Sequence, residues 1–176
     1  SMSDLKIVIN GAGAAGIAIS RFLGKKDPNT PNQQIVKELT LCDSMGIIHK
    51  NRADLNAVKL DLLNYTNPRN LEGSVFEAIL DADVFIGASK ADLLDRNDIR
   101  TMAKDPFILA LANPIPEIFP DEAFAGGAFA VGTGRSDFPN QVNNVLAFPG
   151  IFLGAIQARA PRITLAMKFA AAEAIA

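Results

Sequence analysis

A dense group of polar side chains, most of them amides or guanidinium groups, lies in the segment Gly132–Gly150, which follows the short apolar run Phe129–Val131. Its members are Arg135, Asp137, Asn140, Gln141, Asn143 and Asn144. Amides and guanidinium groups form hydrogen bonds in a fork-shaped geometry that suits a small carboxylate or amide ligand. We therefore interpret the segment as a binding loop. The alternative is a surface loop rich in turn-forming residues, although most connections run only about 4–6 residues.

A second motif, Asn10–Gly16, has the glycine spacing of a dinucleotide-binding fingerprint. It stands between a β-prone run and a helical pattern, which is the context that the fingerprint requires. Gly11 would make the tight turn, Gly13 would let the backbone approach a pyrophosphate, and Gly16 would let the helix pack on the sheet. Free N–H groups at the helix start would bind the phosphates. The predicted cofactor contacts here are Gly11, Ala12, Gly13, Ala14, Ala15 and Gly16.

An acidic residue after the second predicted strand, Asp43, is the expected partner of the adenosine ribose. A carboxylate there accepts hydrogen bonds from ribose hydroxyls and repels a 2′-phosphate, which favours NAD over NADP. Lys50 and Arg52 are near in sequence and would offset part of this repulsion, so NADP is kept as an alternative. Asp43 lies further from the glycines than the usual ~20 residues, and the polar loop 24–34 accounts for the difference. The competing interpretation is a strand-end residue that makes a local turn with Ser44.

Three further strand ends carry small or polar residues. They lie at 87–89, 113–114 and 132–134. Ligands of open α/β sheets bind outside the carboxyl ends of the strands, so we expect these ends to face the cofactor. Ala88 and Ser89 are small enough to let the cofactor lie close to the backbone. Asn113 would either present its amide to a nicotinamide or a substrate carboxylate, or cap the strand locally.

The elements that must position these residues alternate between apolar runs and helical stretches. The predicted strands are Leu5–Asn10, Leu39–Asp43, Asp83–Gly87, Phe107–Ala112 and Phe129–Val131. The predicted helices are Ala14–Leu23, Val75–Leu80, Arg96–Ala103 and Asp121–Phe124, with a last one capped by Thr164. Apolar strands separated by helices predict an α/β fold of the Rossmann type, a doubly wound, mostly parallel sheet with helices on both faces. In Ile48–Gly73 no clean apolar run marks a further strand.

Composition excludes several classes of protein. The 176 residues suit one domain over 1–176, and a net charge of -2 argues against nucleic-acid or membrane partners. No apolar run reaches the ~20 residues of a membrane span, and Ser1-Met2-Ser3 lacks the basic and apolar regions that are typical of a signal peptide. Cys42 is the only cysteine, which fits a cytoplasmic protein. The last helical pattern ends without Gly, Pro or a basic turn, which predicts a fragment of a longer enzyme.

Taken together, these motifs resemble the NAD(P)-binding domain of malic enzymes of the bacterial type. The resemblance extends from Ile7 to Ala176, and its matching segments are 8–16, 42–44, 82–87, 110–117 and 132–150. It implies that the longer protein, a metal-dependent and decarboxylating oxidoreductase, converts L-malate to pyruvate with NAD or NADP and a divalent metal, Mg²⁺ or Mn²⁺. It also implies a homo-oligomer. Malolactic enzymes look similar here and yield lactate, so they are the alternative within the family.

The same resemblance assigns roles to single residues. Gly11, Gly13, Gly16 and Asp43 match cofactor-binding positions, and we add Ser44, Ala88 and Ser89 from their places at the sheet edge. Asn113, Asn143 and Asn144 match positions that hold malate and the nicotinamide end. Many relatives have a Pro-Gly turn after the position of Ser89, where this chain has Lys90-Ala91-Asp92.

The chain contains no recognisable catalytic base, acid or metal cluster. In the family these come from a Lys, a Tyr and several carboxylates, mostly in a preceding domain. Tyr65 and His49 are the only residues of their types and have no motif around them. The prediction is therefore a domain that binds dinucleotide but does not turn over malate alone. The alternative from another class is a stand-alone Rossmann nucleotide sensor without catalysis.

Overall fold

The computed structural model of the protein describes residues 1–24, 35–143 and 145–176. A short 3-10 turn at Met2–Asp4 leads into an alternation of strands and helices. The strands are β1 (Lys6–Asn10), β2 (Glu38–Asp43), β3 (Gly46–Ile47), β4 (Val84–Gly87), β5 (Phe107–Ala110) and β6 (Ala130–Thr133). The helices are α1 (Ala14–Gly24), α2 (Ala57–Leu62), α3 (Val75–Ala78), α4 (Arg96–Arg100), α5 (Pro120–Gly126), α6 (Phe148–Gln157) and α7 (Leu165–Ile175).

These strands form one sheet in the order β3-β2-β1-β4-β5-β6. All neighbouring pairs are parallel except β2 and β3, which pair antiparallel at one edge. The chain moves from β1 to β2 on one side and then crosses β1 to reach β4 on the other. The predicted Rossmann-type, mostly parallel α/β fold is therefore confirmed, with its switch in strand order between β1 and β4.

Both faces of the sheet are buried along β1, β2 and β4, which explains why these strands read as continuous apolar runs. One face of β5 is partly open, with Phe107 46% exposed. Alternate residues of a strand point to opposite faces. Val8 and Phe85 therefore lie in one core layer, which α3, α4 and α5 cover. Ile7 and Ile9 lie in the other core layer, which α1 and α2 cover.

Local sequence explains where several helices begin and end. Thr164 caps α7 as predicted, since its Oγ1 accepts a hydrogen bond 3.2 Å long from the Met167 amide. Asp95 begins α4 by accepting from the amides of the residues two and three positions ahead. Pro120 opens α5, and Gly127 ends it at φ 104°, a left-handed conformation that favours glycine.

The structure differs from the predicted elements in the middle of the chain. Segment 48–73 contains α2 and no strand, while the short edge strand β3 lies just before it. Helix α6 (Phe148–Gln157) begins inside the predicted binding segment Gly132–Gly150 and continues into residues for which the sequence predicted no element. The predicted loop at 24–34 falls, apart from Gly24, outside the described residues.

No helix in the described ranges has both the length and the apolar character needed to cross a membrane.

Candidate cofactor site

A groove of about 680 Å³ opens at the carboxyl edge of the sheet. Because the strand order switches between β1 and β4, this is the place where ligands of open α/β sheets bind. The predicted residues that line it are Gly11, Ala12, Gly13, Asp43, Ser44, Ala88 and Ser89. The sequence therefore located most of one continuous surface from residues that are far apart in the chain.

Packing requires glycine at two of the three fingerprint positions and leaves the third one open. Gly11 has φ +119°, and a Cβ there would lie 2.6 Å from the Ala88 carbonyl oxygen. A Cβ on Gly16 would lie 1.8 Å from the Gly11 carbonyl oxygen. A Cβ on Gly13 would meet no described atom within 4 Å. Packing therefore demands Gly11 and Gly16, whereas Gly13 leaves open space above the loop.

The start of α1 supplies the polar groups beneath that space. Helix α1 begins at Ala14, and Gly13, Ala14 and Ala15 are all exposed. The first four amides of a helix lack partners within the helix. Their N–H groups and the positive end of the helix dipole favour a phosphate. The loop thus fits the pyrophosphate of a dinucleotide both sterically and electrostatically.

Asp43, at the end of β2, is already fully engaged as a hydrogen-bond acceptor. Its Oδ1 accepts from the Met45 amide at 2.8 Å and from Arg52 Nη1 at 2.9 Å. Its Oδ2 accepts from Arg52 Nη2 at 3.0 Å and from Lys59 Nζ at 2.5 Å. The bond from Met45 is the local turn that was the alternative interpretation of this residue. A ribose hydroxyl would have to displace or share one of these four donors.

The charges around Asp43 balance. Arg52 also forms an ion pair with Asp54, so two carboxylates and two cations make up the cluster. Burial alone would raise the pKa of Asp43, but hydrogen bonds from Arg52 and Lys59 outweigh it and hold that pKa below 3.8. Lys59 lines the groove, whereas Lys50, which the sequence placed beside Asp43, forms no ion pair within the described ranges. Sequence reasoning missed Lys59 because α2 has no apolar pattern that marks its position.

Hydrogen bonds join the glycine loop to the segment after β4. Asn10, 7% exposed, donates from Nδ2 to Ser89 Oγ at 2.6 Å, and its carbonyl accepts from the Ala88 amide at 2.8 Å. Lys90 also lines the groove. The two walls of the groove are therefore held in fixed relation by the bonds of Asn10.

Glu117 is a further residue that the sequence did not assign to the site. Its side chain is fully buried, with 0% exposure, and both of its oxygens accept backbone hydrogen bonds. Oε1 accepts from the Ser89 amide at 3.1 Å, and Oε2 accepts from the Ala112 amide at 3.0 Å. In the part of the chain that the structure describes, no cation forms an ion pair with it. It links the loops that follow β4 and β5.

The polar segment after β6 uses several of its side chains internally. Arg135 forms a two-bond ion pair with Asp137, donates to the Pro114 carbonyl at 2.9 Å and lies over the Phe138 ring at 5.3 Å. Asn140 Nδ2 donates to the Val131 carbonyl at 3.2 Å. These groups hold the loop against its neighbours, so the sequence overstated how many of them are available to a ligand.

Two of the predicted substrate residues, Asn113 and Asn143, lie at the same carboxyl edge but outside the groove lining. Asn113 is exposed and follows β5 through Ala112, and its peptide bond to Pro114 is cis. Asn143 is exposed, and its Oδ1 accepts from the Val145 amide at 2.9 Å. Asn144 is outside the described residues. The structure thus places Asn113 and Asn143 near strand ends and leaves their ligand contacts as predictions.

No metal centre is formed by the described residues, among which no three His, Cys, Asp or Glu side chains cluster together. His49 is 14% exposed and lies 3.6 Å from a carboxylate oxygen of Glu72, away from the groove lining. Cys42 is buried, and this burial, with the adjacent Asp43 charge, raises its pKa to about 12. The chain therefore supplies a ligand-binding surface but no resident metal site in these ranges.

Comparison with known proteins agrees with this geometry. The family model described as "Malic enzyme, NAD binding domain" matches residues 1–176. A bifunctional malic/malolactic enzyme of Bacillus subtilis is 52% identical over 100% of this chain and 41% of its own. An NADP-dependent malic enzyme of Rhizobium meliloti is 46% identical over 97% of this chain and 21% of its own.

A solved structure extends the likeness to the fold. The NAD-dependent malic enzyme of Thermotoga maritima superposes with a TM-score of 0.81 at 43% identity, over 90% of this chain and 41% of that one. The chain thus spans less than half the length of each of these relatives.

Proposed function

The chain belongs to the malic enzyme family through its NAD-binding domain, and we propose that residues 1–176 form a single domain that binds the dinucleotide of a longer malic enzyme. The observation that carries this is the groove at the sheet switch point, which joins Asp43, the glycine loop and the segment after β4. The open space over Gly13 supports a pyrophosphate there.

The proposed contacts follow the direction of the groove. The adenosine ribose meets Asp43 and Ser44, the pyrophosphate meets the loop from Gly11 to Gly16, and the nicotinamide half passes Ala88 and Ser89. Asn113, Asn143 and Asn144 then hold the nicotinamide end and L-malate. When bound, the dinucleotide accepts a hydride from the substrate carbon. The residues of this chain bind and orient it.

Calorimetric titration of the 176-residue chain with NAD and with NADP tests the proposal. We expect binding of at least one cofactor below millimolar concentration. The variant Gly13→Ala should bind the cofactor more weakly while it stays folded. Its Cβ meets no described atom, yet it would occupy the space above the phosphate loop. Absence of binding at millimolar concentration by the correctly folded chain would remove the dinucleotide assignment.

For the cofactor, we propose a modest preference for NAD with NADP also accepted. The Asp43 carboxylate disfavours a 2′-phosphate, while Arg52 and Lys59 neutralise most of that charge. Relatives of similar identity carry both names, "NADP-dependent" in Rhizobium and "NAD-dependent" in Thermotoga. The ratio of the two dissociation constants measures the preference.

The activity of the longer protein is proposed as oxidation and decarboxylation of L-malate to pyruvate, with a divalent metal, Mg²⁺ or Mn²⁺. The base, the acid and the metal ligands would lie outside this chain, which agrees with its coverage of 41% of the Bacillus relative. We expect no malate-dependent formation of NADH by the 176-residue chain. Malate oxidation by this chain alone would contradict the proposed division of the active site.

A malolactic reaction is the second candidate, because the 52%-identical relative is named a bifunctional malic/malolactic enzyme. Product analysis of the longer protein separates the two, since pyruvate with reduced cofactor indicates the malic reaction and lactate indicates the malolactic one.

We also propose a cytoplasmic homo-oligomer. The location is supported by Cys42, which is buried and forms no disulfide. The assembly is supported by the exposed apolar side chains Phe152 and Leu153 of α6, and light scattering of the longer protein tests it.

A further inference from the structure

The dinucleotide groove crosses the sheet in a defined direction. Asp43 ends β2 on one side of β1, and β4 and β5 lie on the other side. A dinucleotide with its adenosine ribose at Asp43 and its pyrophosphate at the start of α1 therefore extends its nicotinamide half toward the ends of β4 and β5. The loops after these two strands, which contain Ser89 and Ala112, form the boundary of that half of the site.

One buried side chain connects these two loops. Glu117 accepts the Ser89 amide with one oxygen and the Ala112 amide with the other, at 3.1 and 3.0 Å. Its carbonyl oxygen also accepts the amides of Leu93 and Leu94, at 2.7 and 3.0 Å. The same residue thus fixes the first loop at two places and the second loop directly before Asn113.

The sheet makes room for this carboxyl group. A Cβ on Gly87, the last residue of β4, would lie 2.2 Å from Glu117 Cδ. A buried carboxyl group without a cation needs hydrogen-bond donors for both oxygens, because an unsatisfied polar atom in the interior is unfavourable. Tethering two loops could be achieved by an apolar contact without that requirement. The Glu117 carboxyl group, by contrast, orients two specific amides, and this indicates control of the backbone geometry of both loops.

We propose that Glu117 is a positioning residue for the nicotinamide half of the cofactor. By holding the Ser89 and Ala112 amides it sets the separation of the two loops between which that half binds, and it places Asn113 at the sheet edge. This inference rests on the proposed binding of a dinucleotide. It assigns Glu117 no contact with the cofactor itself.

The variant Glu117→Gln tests the role, because glutamine offers one oxygen and turns an N–H₂ group toward the second amide. Calorimetry compares NAD with ADP-ribose, which lacks the nicotinamide. We expect the dissociation constant for NAD to rise about tenfold and that for ADP-ribose to stay within about twofold. Glu122→Gln is the matched control, since Glu122 lies on the exposed face of α5 and pairs with Arg96.

An equal loss for both ligands would show a merely structural role and overturn the proposal, as would unchanged binding of NAD. The wild-type chain gives a second measurement in case Glu117→Gln does not fold. The amide resonance of Ala112 is expected to shift on addition of NAD and to stay in place with ADP-ribose. Equal responses to both ligands would contradict the inference. Wild-type protein that binds neither ligand would instead remove the proposed function, and the inference with it.

Discussion

A methyl group on Gly16 would stand 1.8 Å from the carbonyl oxygen of Gly11, so these two residues touch backbone to backbone at the turn between β1 and α1. This contact lets the helix start directly above the strand end. It also means that the fingerprint glycines serve the fold as well as the ligand, and single substitutions can separate the two roles.

Gly16→Ala is expected to destabilise the protein, because the turn must open to admit the Cβ. Overpacking of this kind costs about 1–3 kcal/mol, and the contact with backbone rather than with a flexible side chain favours the upper end. Thermal and urea unfolding measure the loss. Unfolding at the wild-type midpoint would show that the turn relaxes without cost.

Gly13→Ala is expected to leave stability unchanged and to weaken binding of NAD by at least tenfold. Its Cβ meets no described atom within 4 Å, but it would project toward the phosphates above the loop. Calorimetry gives the affinity, and thermal unfolding of the same sample confirms the fold. Gly154→Ala, where a Cβ also meets nothing within 4 Å, controls for the substitution itself. Wild-type affinity in Gly13→Ala would mean that the cofactor does not approach this loop.

These glycines could be predicted because their spacing and flanking pattern are local in sequence. Glu117 could not be assigned to the site, since its partners Ser89 and Ala112 come together only when β4 and β5 pair. The internal partners of Arg135 could not be predicted for a related reason. Its type suggests a ligand for a carboxylate, but it forms bonds to Asp137 and Pro114 within the folded edge.

The central strands were predictable because both of their faces are buried, which leaves an unbroken apolar run such as Val84–Gly87 in the sequence. Helix α2 and strand β3 were not. A helix of six residues with one buried side chain, Leu62, shows little periodicity, and a two-residue edge strand shows none. As a result, the cation that α2 contributes, Lys59, was also missed.

Lys59→Ala is expected to increase discrimination against NADP. Lys59 donates to Asp43 and lines the groove, so its removal leaves more uncompensated negative charge where a 2′-phosphate would lie. It also removes one of the two donors to Asp43 Oδ2, which leaves room for a ribose hydroxyl beside Arg52 Nη2. We expect NADP affinity to fall about fivefold relative to NAD affinity, which matches the value of roughly 1 kcal/mol for a partly buried charge interaction.

The control for Lys59→Ala is Lys104→Ala, which removes the same charge from a side chain that is 93% exposed. Calorimetric titrations of both variants are compared at equal ionic strength, because screening weakens exposed charges. Equal changes for NAD and NADP in Lys59→Ala would contradict a role for Lys59 in cofactor choice.

Cys42 is expected to be unreactive toward thiol reagents in the folded protein. Burial, then the neighbouring Asp43 charge, raises its pKa to about 12, and its side chain is 0% exposed. The thiolate is the reacting form, so labelling at pH 8 should follow unfolding of β2. The rate of modification is measured against urea concentration. Rapid labelling without denaturant would indicate that the edge of the sheet opens locally.

Asp43→Asn is expected to lower stability near neutral pH by about 1–3 kcal/mol, because it removes the charged acceptor of the partly buried hydrogen bonds from Arg52 and Lys59. The folded pKa of Asp43 lies below its unfolded value of about 3.9. Its stabilising contribution is therefore fully present above that unfolded value and is lost as the pH falls through the lower folded pKa. The difference in unfolding free energy between wild type and variant should be constant from pH 7 to about pH 5 and shrink below about pH 4.

Asp137→Asn, at a pair whose carboxylate is 55% exposed, should show a much smaller difference. A difference for Asp43→Asn that grows on acidification would mean that the pair with Arg52 and Lys59 does not hold the charged form.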